Sequence, residues 1–303
     1  MLNLVAIEPR RFPEYEAAVC DAGGSLSQVS KDVRALIWTD YSQPNALAEL
    51  LDSNPQIEWV QLPFAGVDAF SDVINRDVRF TSAKGSYREP VAEHALALSL
   101  ALMRAIPERV RATSWGKSFA VSLFDSNVLI YGGGGITEEL VNLLAPFRAK
   151  ITVLRKRPQQ MVGVNSVLAS TELLSELPKA DLVVITAALT SETSRVFNRQ
   201  AFEAMKPSAY LVNIARGPLV HTDDLIDALS SGELAGAALD VTDPEPLPEG
   251  HPLWQAKNIL ITPHTADTRE MVVRLFSDRI RENVLAFFGG EALVGQVSAE
   301  LCY

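Results

Sequence analysis

Val128-Leu129-Ile130-Tyr131-Gly132-Gly133-Gly134-Gly135-Ile136-Thr137 carries a short apolar run straight into four consecutive glycines. The run reads as a strand, and the glycines after it match G-x-G-x-x-G at Gly132 and Gly134, with Thr137 where the third glycine would stand. Glycine at 132 permits a tight turn from strand to helix, and glycine at 134 lets a pyrophosphate approach the backbone at the positive end of that helix. The stretch therefore predicts a dinucleotide cradle with Gly135 and Ile136 in its wall. Thr137 is expected to loosen the helix-to-strand packing that a third glycine allows.

Strands and helices alternate on both sides of the cradle. Ahead of it, Leu4–Ile7, Ala35–Trp38, Trp59–Leu62 and Val78–Thr81 read as strands, separated by turn formers such as Asp21-Ala22-Gly23-Gly24 and Ser53-Asn54-Pro55. Glu89-Pro90 then opens a helix over Val91 to Arg104 that is apolar on nearly every side after His94. Beyond it the predicted strands are Asn127–Tyr131, Lys150–Leu154, Leu182–Thr186, Tyr210–Asn213, Gly236–Val241 and Ile259–Thr262. A helix spans Asp223–Ser231, capped by Thr222 and ended by Gly232, and a last helix runs from Thr268 to about Phe288. This rhythm predicts an α/β protein of two doubly wound parallel sheets, each a domain, in keeping with a length prior of roughly two domains at ~150 residues each. The expected boundaries are 94–270 for the dinucleotide-binding domain and 1–93 with 271–303 for the other.

Where the second strand of the nucleotide-binding series ends, a carboxylate would hold a ribose 2′-hydroxyl. This chain has Arg155-Lys156-Arg157 there, beginning 155 − 137 = 18 residues beyond Thr137. Three cations attract a 2′-phosphate, so NADP is the expected cofactor in preference to NAD.

Of 303 residues, 48% are apolar, which is enough for real cores and excludes a disordered or fibrous chain. The formal charge of −10 opposes nucleic-acid binding. The longest helical apolar segment, Ala95 to Met103, is far short of the ~20 residues that span a bilayer, and the apolar run near residues 4–7 is too short for a signal peptide, so neither export nor a membrane is expected. The cysteines, Cys20 and Cys302, stand at opposite ends with no metal-binding spacing; no metal is expected and the cytoplasm is the expected compartment.

Three further segments stand at predicted strand ends, where open α/β sheets bind ligands: Asn213-Ile214-Ala215-Arg216-Gly217, Asp240-Val241-Thr242-Asp243-Pro244-Glu245-Pro246, and Thr262-Pro263-His264. In this order, after the glycine-rich loop, they resemble the N-x-x-R-G, D-V-x-x-x-E-P and T-P-H motifs of the D-isomer-specific 2-hydroxyacid dehydrogenases, glyoxylate/hydroxypyruvate reductase-like or phosphoglycerate dehydrogenase-like. The resemblance implies a Rossmann domain inserted into a flavodoxin-like substrate domain. It implies hydride exchange between NAD(P)H and a small 2-keto acid or D-2-hydroxy acid such as glyoxylate or hydroxypyruvate, in a homodimer. His264 would supply the proton, Glu245 would pair with and orient that imidazole, and Arg216 would clamp the carboxylate and carbonyl with its planar fork. Leu62-Pro63-Phe64-Ala65-Gly66-Val67-Asp68 resembles the family's substrate loop, giving the backbone N–H groups of Ala65 and Gly66 the carboxylate. Ala187, Ala215 and Asp240 are expected along the cofactor.

The other histidines carry weaker expectations: His94 as a helix residue, His221 near a helix cap, His251 in a turn. A function of another class is a catalytically weak dinucleotide-sensing scaffold similar to the C-terminal-binding corepressors. No long basic or disordered tail suits that role.

Overall fold

Parallel strands that are apolar on both sides need helices over both faces of their sheet. The computed structural model describes residues 2–117 and 119–297, which leaves Cys302 outside the described residues. It divides the chain into two compact α/β units: Met1–Tyr87 with Thr268–Tyr303, and Arg88–Asp267.

The first unit contains β1 (Leu4–Glu8), α1 (Pro13–Asp21), β2 (Ser25–Leu26), β3 (Ala35–Trp38), α2 (Pro44–Ser53), β4 (Trp59–Gln61) and β5 (Arg79–Thr81). The second contains α3 (Arg88–Met103), α4 (Ile106–Arg111), β6 (Asn127–Tyr131), α5 (Gly135–Leu144), β7 (Lys150–Arg155), β8 (Ser166–Ala169), α6 (Leu173–Glu176), β9 (Leu182–Ile185), α7 (Arg199–Ala204), β10 (Tyr210–Asn213), α8 (Thr222–Ser231), β11 (Gly236–Leu239) and β12 (Ile259–Ile261). The chain then re-enters the first unit as α9 (Arg269–Gly289).

All pairings within both sheets are parallel. The first sheet has the order β2-β1-β3-β4-β5, the flavodoxin-like winding. The second runs β12-β11-β10-β9-β6-β7-β8, so strand order reverses between β6 and β9, the point at which a Rossmann sheet opens its ligand crevice. Because β10, β11 and β12 are neighbours, the segments after them emerge side by side although they are far apart in sequence.

Helix faces follow from residue spacing. In α5, Thr137, Leu140, Val141 and Leu144 recur at i, i+3, i+4 and i+7 and are the buried residues. Thr137 is thus a core residue: its hydroxyl donates to the Gly132 carbonyl at 3.0 Å and lies 2.8 Å from Thr186 Oγ1. The expected loosening is corrected, because the hydroxyl ties α5 to the ends of β6 and β9 where a glycine would only make room. In α8 the first residue is Thr222 and the N-cap is His221; the Thr222 hydroxyl donates to the Asp243 carbonyl at 2.7 Å instead of capping. Gly232 ends that helix at φ 79°, as its position suggests.

In the first unit α9 buries Phe276, Ile280, Val284 and Phe287 along one face, with Tyr15 of α1 set edge-on to Phe276 and Trp59 of β4 stacked on Phe287. Asn283 is fully buried on the same face. Its amide donates to Gln61 Oε1 (2.7 Å) and the Val294 carbonyl (2.9 Å), and its oxygen accepts from Val294 N (2.8 Å). Replacing Asn283 with leucine removes the partner of the Val294 amide and carbonyl and one donor to buried Gln61; we expect a loss of about 1–3 kcal/mol, read as a lowered urea midpoint.

Candidate active site

The cradle is built as a strand-to-helix turn. Gly132 has φ +128°, and a Cβ there would sit 2.3 Å from Thr186 Oγ1 and 2.6 Å from the Ala187 nitrogen, so only glycine lets the end of β6 lie against the end of β9. Gly134 is the N-cap of α5, with no side chain capping the helix, and a Cβ added to it meets nothing within 4 Å. No protein contact demands glycine at 134; what the bare position leaves is backbone, open at the positive end of a ten-residue helix, with Gly135 and Ile136 in its first turn. That arrangement fits a dinucleotide pyrophosphate.

At the end of β7, the Arg155 side chain lies across Gly133, where a Cβ would come within 2.8 Å of its Cδ. Lys156 behaves differently from its neighbours in the basic run: its ammonium is paired with Glu192 at 2.8 Å. Arg157 is exposed.

The loops after β10 and β11 interlock. Buried Asn213 folds the first of them, accepting from Ala215 N at 3.0 Å and donating to the Arg216 carbonyl at 2.9 Å. At Gly217 a Cβ would fall 1.8 Å from the Thr242 carbonyl oxygen, so the residue after Arg216 must be glycine for the two loops to pack. Arg216 itself donates from Nη1 to the Ala215 carbonyl at 2.7 Å.

Glu245 lies on the second loop and reaches His264 on the third: Oε1 stands 2.7 Å from Nδ1, with both side chains about half exposed. Binding at Nδ1 leaves Nε2 as the ring nitrogen available to a ligand. His264 has φ +52°, an uncommon conformation for a residue with a Cβ. Its amide is held by the Asp240 carbonyl at 2.7 Å.

Asp240, only 1% exposed, turns its carboxylate inward. It accepts from Thr262 Oγ1 (2.5 Å), Thr265 N (2.9 Å) and Ala266 N (3.1 Å), and His94 Nε2 stands 3.2 Å away. Burial pushes its pKa up, but the bonds from His94, Thr262 and Thr265 outweigh that and hold it below the usual carboxylate range. His94, read from sequence as a helix residue, is thus part of the polar cluster beneath the loop. Nothing local to it in the sequence signals a partner 168 residues away at Thr262.

Asp267 is a second residue that motif reading passes over. Its half-buried carboxyl feels the charges of His264, Asp240 and Arg216. Its position three residues beyond His264 was the available signal.

In the first unit the loop after β4 is fastened at several points. Leu62 N donates to the Thr81 carbonyl (2.7 Å), Ala83 N to the Phe64 carbonyl (3.0 Å), and Tyr87 Oη to the Pro63 carbonyl (2.6 Å). Phe64 packs edge-on to Tyr41 and tilted against Tyr87, leaving Ala65 exposed and Gly66 part-exposed at the loop tip.

Among the described residues no group of three or more His, Cys, Asp or Glu could hold a metal, and no helix is long and apolar enough to cross a membrane.

Residues 95–266 match the family model described as D-isomer specific 2-hydroxyacid dehydrogenase, NAD binding domain. The chain belongs to the D-isomer specific 2-hydroxyacid dehydrogenase family. It is an NAD(P)-dependent 2-hydroxyacid dehydrogenase. Over 96% of its length it is 30% identical to a human glyoxylate reductase/hydroxypyruvate reductase, 88% of which is covered. It is 31% identical to a glyoxylate reductase of Thermofilum pendens, over 84% of this chain and 78% of that protein. A D-isomer specific 2-hydroxyacid dehydrogenase from Xanthobacter autotrophicus, solved in complex with NADPH and MES, superposes with a TM-score of 0.87 at 25% identity, covering all of both chains.

Asp267 gives this dehydrogenase a pH signature. Burial and the nearby Asp240 charge raise its pKa, and His264 and Arg216 offset this only in part. A carboxyl whose folded pKa lies above its unfolded value contributes stability below the unfolded pKa and loses it as pH rises through the folded one. Asp267→Asn, neutral throughout, should therefore unfold at a higher Tm than the wild type at neutral pH, with the gap closing as pH falls into the ordinary carboxylate range. Thermal scans of both proteins across that range check it.

Proposed function

We propose that the enzyme reduces small 2-keto acids of the glyoxylate and hydroxypyruvate type, with NADPH as its preferred reductant. The observation that carries the reading is the 2.7 Å contact between His264 Nδ1 and Glu245 Oε1 on loops that leave adjacent strand ends. The names of the human and Thermofilum relatives, and the NADPH bound in the Xanthobacter protein, support the substrate class and the reductant.

When bound, the reduced nicotinamide supplies the hydride that the keto carbon accepts. The turn at Gly132, Gly134, Gly135 and Ile136 would hold the pyrophosphate, with Ala187, Ala215 and Asp240 at the strand ends bordering the rest of the dinucleotide. Residues 94–270 would form the cofactor domain, and 1–93 with 271–303 the substrate domain.

Arg216 fixes the substrate carboxylate and carbonyl through its fork, and the Ala65 and Gly66 amides are neutral donors of the kind a carboxylate takes. His264 delivers a proton from Nε2 to the carbonyl oxygen as charge develops there, and Glu245 at Nδ1 keeps the ring facing that oxygen. Hydride at carbon and proton at oxygen together convert the 2-keto carbonyl into a hydroxyl group.

We expect His264→Ala to lower kcat/KM by ~10²–10⁴-fold, the usual worth of a positioned acid. Glu245→Gln should lower kcat, and Arg216→Ala should raise the KM for the keto acid as well. A panel of keto acids followed through NADPH absorbance checks this. Wild-type turnover in His264→Ala rejects the mechanism, and silence of the wild-type enzyme across the panel, with dinucleotide still bound, favours a sensing scaffold.

The preference for NADPH rests on Arg155, Lys156 and Arg157 at the end of β7. Because Glu192 already neutralises Lys156, Arg155→Ala should erode the NADPH preference more than Lys156→Ala does. Steady-state KM values for both coenzymes decide it, and a wild-type preference for NADH of more than about tenfold, ~1.4 kcal/mol, goes against the assignment.

A further inference from the structure

His264 sits at the tip of a loop whose backbone takes an uncommon path. A non-glycine residue in the left-handed region is strained and persists only where its surroundings over-determine it. Here the determinant is one residue, through its carbonyl and its carboxylate. Asp240 takes the His264 amide on its carbonyl and the two succeeding amides, Thr265 and Ala266, on its carboxylate, so three successive N–H groups are anchored to a single residue at the end of β11.

That anchor holds only if the Asp240 carboxylate and the Thr262 side chain keep one orientation. Thr262 spends its only hydroxyl proton on Asp240 Oδ1, and its oxygen is left to accept from His94 Nε2 at 3.0 Å. The same nitrogen stands 3.2 Å from Asp240 Oδ1, so one N–H is shared between hydroxyl and carboxylate, and the bonding assigns the proton to Nε2. The donor projects from α3, which packs against α5 and the strands β10 and β11. A rigid helix thereby braces the loop from below.

We propose that His94 is a positioning residue for proton delivery. Its Nε2–H locks Asp240 and Thr262, and through them holds residues 262–266 in the path that presents His264 to Glu245. The proposal rests on His264 being the proton donor, but the brace itself has a readout independent of turnover: hydrogen exchange at the Thr265 and Ala266 amides, whose acceptor is the Asp240 carboxylate.

The test compares full-length His94→Leu, which removes the donor, with His94→Gln, whose terminal amide places an N–H at a similar reach. In His94→Leu the 262–267 segment should exchange at least tenfold faster. Its kcat for glyoxylate with NADPH should fall at least tenfold, while the glyoxylate KM stays within about twofold, since Arg216 is untouched. His94→Gln should restore most of both. A general loosening of the fold would instead lower Tm and raise KM, with no rescue by glutamine.

Should the leucine variant not fold, Thr262→Val, which removes the intervening hydroxyl, is read by the same two measurements. Wild-type exchange in both His94→Leu and Thr262→Val, or glutamine performing no better than leucine, overturns the brace. Fast exchange with undiminished kcat overturns the positioning role, whereas wild-type turnover in His264→Ala removes His264 as proton donor, so the two failures can be told apart.

Discussion

A carboxylate taken out of water must be met by donors or lose its charge. Asp240 is met by Thr262, Thr265, Ala266 and His94, and this keeps it ionised despite burial. The loop carrying His264 depends on that one constraint. It has no regular secondary structure between β12 and α9, so its shape comes from bonds to Asp240 rather than from a helix or strand ladder. Such an anchor is sharper than apolar packing, because each bond has a direction as well as a distance.

The second constraint is strand order. Motifs around Arg216, Glu245 and His264 are remote in sequence, and neighbouring strands in the order β12-β11-β10 bring their loops to one edge of the sheet. Packing them there requires the backbone of one loop to touch the next, which is why the residue after Arg216 can bear no side chain beside the Thr242 carbonyl. The glycine in that motif is a spacing element for two loops, and Gly132 plays the same part between β6 and β9.

Most of the sheet was legible because buried parallel strands are short apolar runs between turn formers: Ala35–Trp38, Asn127–Tyr131 and Tyr210–Asn213 were read to the residue. The strands that escaped reading were β2, two residues long, and β8, Ser166–Ala169, an edge strand that is only partly buried and so lacks the apolar signal. The glycine rule considers only size and so misses Thr137, whose hydroxyl finds two hydrogen-bond partners inside the core, the Gly132 carbonyl and the Thr186 hydroxyl. Thr222 was misjudged by one position because the Asp243 carbonyl competed for its hydroxyl. In the site, residues inside motifs could be named in advance. His94 could not, since its meaning lies in a long-range contact that periodicity does not encode.

The charge distribution ties these features together. A chain of net charge −10 repels anions at a distance, yet the dehydrogenase must take up a dinucleotide, and its family acts on acids. Attraction must then be local, and the cations stand where strands end: Arg155 and Arg157 after β7, Arg216 after β10, with the positive end of α5 between them in the strand order. The acidic residues in the same neighbourhood are handled individually. Glu192 is spent on Lys156, Glu245 on His264, and Asp240 on four donors. Asp267 is the exception, since its burial favours the neutral form.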